Sequence, residues 1–119
     1  MTSRLTRVVS GSATALALAL CGVGPDLIAA RRAATHTVTI DASRFEPAVV
    51  AVVVGDTVVW VNKDVVAHTA TSHASQDGGF DSGLIAPGKA WRYRVKRAGE
   101  FAYTCTYHPT MNATLRVKP

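Results

Sequence analysis

The 119-residue chain contains few cysteines, few aromatic residues and few charges. Its two cysteines, Cys21 and Cys105, are too few for a disulfide-stapled scaffold or a four-cysteine zinc site. Aromatic residues make up 7% of the chain and charged residues 18%, whereas 48% is hydrophobic, mostly alanine and valine. This composition favours a small β-fold over a disordered tail, and the length allows only one compact domain.

The chain also lacks a hydrophobic run long enough to span a bilayer, which requires roughly 20 apolar residues. Arg4 and Arg7 precede a shorter apolar stretch over residues 11–23, and Ala30 offers a small residue for cleavage. This pattern predicts a cleavable export signal over residues 1–30. An alternative is a lipid anchor at Cys21, although Leu20 stands where a lipoprotein signal has a small residue.

Removal of residues 1–30 takes away two of the 13 basic and one of the eight acidic residues. A single domain over residues 31–119 then remains, with 89 residues, a net charge of +4 and Cys105 as its only cysteine. We expect this domain to be periplasmic or extracellular. In such oxidising compartments a lone thiol is a liability unless something occupies it.

No stretch of residues 31–119 has the 3.6-residue period of an amphipathic helix, and short β-branched runs alternate with turn residues. Strands are predicted over residues 36–40, 48–54, 57–61, 69–72, 91–95, 101–105 and 113–117. Gly55-Asp56 predicts a tight turn that joins two of them as a hairpin. The pattern indicates an all-β, antiparallel sandwich or barrel of about seven strands.

Aromatic and basic side chains alternate over residues 91–95, which predicts a strand with one buried and one solvated face. Trp60, Trp91 and Tyr93 are interpreted as core residues. The solvated face carries the basic residues Arg92, Arg94 and Lys96. A docking role for this face toward an acidic partner is an alternative to simple solvation. Nucleic-acid binding is not predicted, because no known pattern of basic and stacking residues is present.

The residues that carry chemistry are Cys105, His108 and Met111, spaced three apart. A thiolate, an imidazole and a thioether favour copper, which binds two histidines and one cysteine with a long axial methionine. Met111 is the only methionine of residues 31–119. The second histidine has to come from elsewhere, and His68, 37 residues before Cys105, is the candidate, with His73 as the possible substitute.

Other uses of these residues fit less well. A cysteine hydrolase would need an orienting Asn or Asp beside Cys105 and His108, and methionine has no role in activating a nucleophile. A two-copper centre would need a second cysteine in the same segment. Four protein ligands leave no open position for a substrate, so we do not expect an enzyme.

Several sequence pieces, in this order, resemble the cupredoxins, or small blue copper proteins. They are Phe45-Glu46-Pro47, residues 52–62, Ala67-His68-Thr69, residues 81–88 and residues 99–105. The short Cys-x-x-His-x-x-Met spacing is similar to amicyanin more than to plastocyanin, whose spacing is longer. Ala67 departs from the pattern, because plastocyanin and amicyanin carry proline there.

The resemblance implies a Greek-key β-sandwich or barrel of seven to eight strands. It also implies that Asn62 and Thr69 tie the two ligand segments together. The implied copper ligands are His68, Cys105, His108 and Met111. His108 would lie at the surface in an apolar patch with residues such as Pro109, Thr110, Val66 and Ala67, and would be the site of electron entry and exit.

The expected function is that of a soluble, monomeric one-electron carrier with a single type 1 copper. Its expected partners are larger redox proteins outside the cytoplasm, such as an amine dehydrogenase, a cytochrome or a copper reductase. An alternative is a copper-delivery module that stores or transfers the ion without carrying electrons.

Overall fold

The computed structural model describes Gly11, residues 30–73 and residues 77–119. In this part of the chain all regular secondary structure is β-strand, and no helix is long and apolar enough to cross a membrane. The segment Arg31–Pro119 forms one compact unit. The predicted export signal, apart from Gly11 and Ala30, lies outside the described residues, and so does the alternative lipid site at Cys21.

Eight strands form two four-stranded sheets. The strands are β1 (Thr35–Asp41), β2 (Arg44–Glu46), β3 (Val49–Val53), β4 (Thr57–Asn62), β5 (Thr71–Ser72), β6 (Ala90–Arg94), β7 (Gly99–Cys105) and β8 (His108–Lys118). One sheet has the order β2-β1-β4-β6 and the other has the order β3-β8-β7-β5. The predicted all-β sandwich of seven to eight strands is confirmed.

The core consists of alternate side chains from both sheets, as the period of two residues in a strand requires. Val38, Trp60 and Leu115 are among its fully buried members. Trp91 and Tyr93 are half-buried and pack against this core. The basic residues between and beyond them are exposed, as the alternation predicted: Arg92, Arg94 and Lys96.

The predicted hairpin around Gly55-Asp56 is wrong. β3 and β4 follow each other through this turn but belong to different sheets, where β3 pairs with β8 and β4 pairs with β1 and β6. A turn signal shows that the chain reverses direction, but it does not show whether the two strands pair by hydrogen bonds or pack face to face.

The buried carboxylate of Asp56 ties this turn to the residues at the start of the domain. It accepts hydrogen bonds from the Arg31 guanidinium at 2.7 Å, the Ala34 amide at 2.9 Å and the Val53 amide at 3.1 Å. The His36 ring lies 2.9 Å away. These contacts hold the start of β1 beside the start of β4, and the two strands run parallel.

The sheets are therefore mixed and not purely antiparallel as predicted. β1 pairs with β4 and β3 pairs with β8 in parallel, because each pair is joined by a crossing between sheets and not by a hairpin. The predicted segment between the last two strands is also shorter than expected. β7 ends at Cys105 and β8 begins at His108, so that Thr106 and Tyr107 alone form the turn.

Candidate metal centre

Three potential metal ligands meet at one end of the sandwich. The ligand atoms of His68, Cys105 and His108 all lie within 4.8 Å of one another. Cys105 Sγ is 3.5 Å from His108 Nδ1, and the two histidine rings have centroids 4.7 Å apart. His68 and Cys105 are fully buried, whereas His108 is half-buried and reaches the surface.

The tight turn between β7 and β8 sets the spacing of the C-terminal ligands. Cys105 and His108 lie opposite each other at the ends of the two strands, directly across the turn. Met111 lies three residues farther along β8 and is buried. His68, Cys105, His108 and Met111 together form an arrangement like a type 1 copper site.

The His68 segment follows β4 and is fixed by its backbone. His68 and Ile85 exchange two backbone hydrogen bonds, of 3.2 Å and 2.8 Å. The Asn62 side chain donates to the carbonyl oxygens of Ile85 at 2.9 Å and Val66 at 2.8 Å. Asn62 therefore holds the His68 segment against the residues before β6.

The link between the two ligand segments is made by Thr69. Its amide donates to Cys105 Sγ at 3.3 Å, and its hydroxyl oxygen accepts the amide hydrogen of Thr106 at 2.9 Å. Of the two residues expected to tie the segments together, Thr69 makes this contact. The side-chain amide of Asn62 binds only within the His68 side of the site.

The same contacts favour the thiolate form of Cys105. Burial alone would raise the pKa of the thiol, but the hydrogen bond from the Thr69 amide opposes burial, as do contacts with His108 and the Tyr107 amide. Together these contacts lower the pKa of Cys105 to about 6. A thiolate is the form that binds a metal ion.

The two nitrogens of His68 have different surroundings. Nε2 lies 3.0 Å from Asp64 Oδ2, whereas Nδ1 is buried and has no hydrogen-bond partner. A buried polar atom without a partner is costly, and a metal ion would satisfy it. A thiolate, two imidazoles and a buried thioether are soft and borderline donors, and this set fits copper.

The structure also decides between the two candidate histidines. His73 follows β5, is exposed and is not part of the ligand cluster, so His68 is the histidine brought to Cys105. The sequence reasoning missed Asp64. An acidic residue four positions before a candidate histidine ligand was the signal that could have identified it.

Solved structures of copper proteins resemble the chain. The copper-containing nitrite reductase NirK from Thermus scotoductus SA-01 is 29% identical over 71% of this chain, with a TM-score of 0.67, and this chain spans 22% of its length. A methionine-to-alanine variant of amicyanin with Cu(I) is 26% identical over 71% of this chain and 82% of its own, with a TM-score of 0.66. A proline-to-glycine variant of amicyanin in the reduced Cu(I) form has 27% identity and the same TM-score.

A family model described as a cupredoxin-like domain matches residues 12–117, which is most of the chain. The match agrees with the two-sheet fold and with the cluster of two histidines, a cysteine and a methionine at one end of it. Copper is the metal that this fold and donor set support. The chain belongs to the cupredoxin family.

Proposed function

We propose that this protein carries single electrons between larger redox proteins, with one type 1 copper held by His68, Cys105, His108 and Met111. The observation that supports this function best is the convergence of His68, Cys105 and His108, with their ligand atoms within 4.8 Å and Met111 buried nearby. Four protein ligands would leave no open position for a substrate. This favours an electron carrier over an enzyme.

The residues around the ligands support fast electron transfer. When bound, copper would supply a one-electron couple between Cu(II) and Cu(I). Thr69 joins the two ligand segments, and paired strand ends hold Cys105 and His108. Because these contacts fix the ligands, little rearrangement would accompany each change of oxidation state. The hydrogen bond from Thr69 to Cys105 would also contribute to the reduction potential.

Several exposed apolar residues lie within three positions of a ligand in the chain, or beside Ile85, which pairs with His68. We call Val65, Val66, Leu84 and Tyr107 the apolar rim. Val65 is 87% exposed and Tyr107, beside His108, is 63% exposed. We propose that electrons pass through His108 while the apolar rim contacts the partner. Transient redox complexes use small interfaces, which allow rapid dissociation.

The predicted export signal supports a site of action outside the cytoplasm. The proposed partners are therefore redox proteins of that compartment. The nitrite reductase neighbour does not favour an enzyme here, because this chain corresponds to 22% of that protein.

The direct test is to add Cu(II) to the purified protein and to record its absorption spectrum and voltammogram. We expect an intense thiolate-to-copper charge-transfer band and a reversible one-electron wave. Cys105→Ser should abolish the band, because serine supplies no sulfur. Thr110→Ser, a hydroxyl-retaining change at an exposed position of the same segment, is the matched control and should keep it.

Two results would contradict the electron-carrier function. A colourless copper complex would mean that the thiolate is not a ligand. Loss of copper upon reduction would instead support the copper-delivery alternative, because a carrier has to retain the ion in both oxidation states.

A further inference from the structure

Asp64 lies between the end of β4 and His68, and two backbone amides hold its carboxylate. Oδ2 accepts a hydrogen bond from the Ser43 amide at 2.9 Å, and Oδ1 accepts one from the Val65 amide at 2.9 Å. The Asp64 amide itself donates to Asn62 Oδ1 at 2.9 Å. This carboxylate is therefore immobilised before any contact with His68 is considered.

The third contact of the carboxylate is with His68. Asp64 Oδ2 lies 3.0 Å from His68 Nε2, with the Asp64 side chain 15% exposed and the His68 side chain fully buried. Each carboxylate oxygen of Asp64 already accepts a hydrogen bond from a backbone amide, and a carboxylate can only accept. The proton shared by this pair therefore belongs to His68 Nε2.

With Nε2 as the donor, the neutral His68 ring has its lone pair on Nδ1. Nδ1 is the buried atom that has no hydrogen-bond partner. An outer carboxylate that accepts from one ring nitrogen orients the other for a metal ion and makes it more basic.

We propose that Asp64 is a positioning residue of the copper centre, which fixes the His68 tautomer and leaves Nδ1 free to bind the ion. The proposal rests on the copper site proposed above. The turn between β1 and β2 contributes to this positioning, because the Ser43 amide in that turn holds the carboxylate that orients His68. Residues far apart in sequence thereby determine which nitrogen of His68 faces the ion.

The first test uses the metal-free protein, so that it does not depend on electron transfer. Long-range ¹H–¹⁵N correlation spectra of ¹⁵N-histidine report which nitrogen of each ring carries the proton. We expect His68 to be protonated at Nε2 in the wild type and to become a mixture of tautomers in Asp64→Ala. An unchanged His68 tautomer in Asp64→Ala would overturn the proposal.

The second test measures copper binding and the reduction potential. We expect Asp64→Ala to lower the affinity for Cu(II) about 10–100-fold, the usual effect of losing such an outer partner. Asp64→Asn keeps the shape and an acceptor oxygen but removes the charge. We therefore expect a smaller loss of affinity and a higher potential, because a negative charge beside the ligand stabilises Cu(II).

Asp77→Asn is the matched control, because it removes one carboxylate charge from an exposed side chain paired with Arg97. Equal changes of affinity and potential in Asp77→Asn and Asp64→Asn would contradict the proposal. If Asp64→Ala does not fold, Asp64→Asn decides through its potential, and an unchanged potential refutes the role. An Asp64-dependent tautomer in a protein that forms no blue copper complex would refute the proposed function, whereas a blue copper complex with an Asp64-independent tautomer would refute this inference alone.

Discussion

Met111 is buried in β8, three residues beyond His108. It is the only thioether in residues 31–119, so no other side chain of that segment can take its place. We expect Met111→Leu to retain copper, because two imidazoles and a thiolate still bind it. The reduction potential should rise, because a weak electron donor to Cu(II) has been removed.

Voltammetry of the wild type and of Met111→Leu measures this effect directly. Leucine has a similar volume, so the core around β8 should remain packed. A potential that stays the same or falls would show that Met111 is not an axial ligand.

At the scale of the elements, Asp56 in the turn between β3 and β4 anchors the start of the domain. The Arg31 guanidinium, followed by the Ala34 amide, holds the pKa of the Asp56 carboxyl well below its usual range, against the opposing effect of burial. A depressed pKa in the folded state adds stability above the pKa of the unfolded chain, about 3.9. That stability is lost as the pH falls below this value.

We therefore expect Asp56→Asn to lower the Tm at neutral pH, because asparagine cannot form the ion pair with Arg31. The difference in Tm between wild type and variant should shrink as the pH falls below about 4, where the carboxyl of the unfolded chain begins to take up its proton while the folded carboxyl stays ionised. Thermal unfolding monitored by circular dichroism between neutral and acidic pH checks this. A difference that is constant with pH, or as large in the exposed-site control Asp77→Asn, would contradict the role of Asp56.

The strands themselves were largely predictable, whereas their pairing was not. The alternation over residues 91–95 identified the buried face of β6, because the side chains of a strand point to opposite faces. The turn at Gly55-Asp56 was identified, but not the contacts of Asp56 with Arg31 and His36 that join β4 to the start of β1. Such contacts between distant residues leave no periodic signal in the sequence.

In the whole molecule, the metal site combines ligands from one short segment with a ligand that is distant in the sequence. Cys105, His108 and Met111 share one short segment, and their spacing alone pointed to copper. His68 could be proposed from the sequence, but its choice over His73 depends on the fold, which brings the residue after β4 to Cys105. Asp64 was missed because its role depends on the Ser43 amide, which the turn between β1 and β2 supplies.

We propose above all that one copper ion binds where these segments meet. A crystal structure of the copper-loaded protein tests it most directly. We expect a single copper bonded to Cys105 Sγ, His108 Nδ1 and His68 Nδ1, with Met111 Sδ at a longer distance and Asp64 still in contact with His68 Nε2. Copper bound through His73, or through a set of ligands without Cys105, would contradict it.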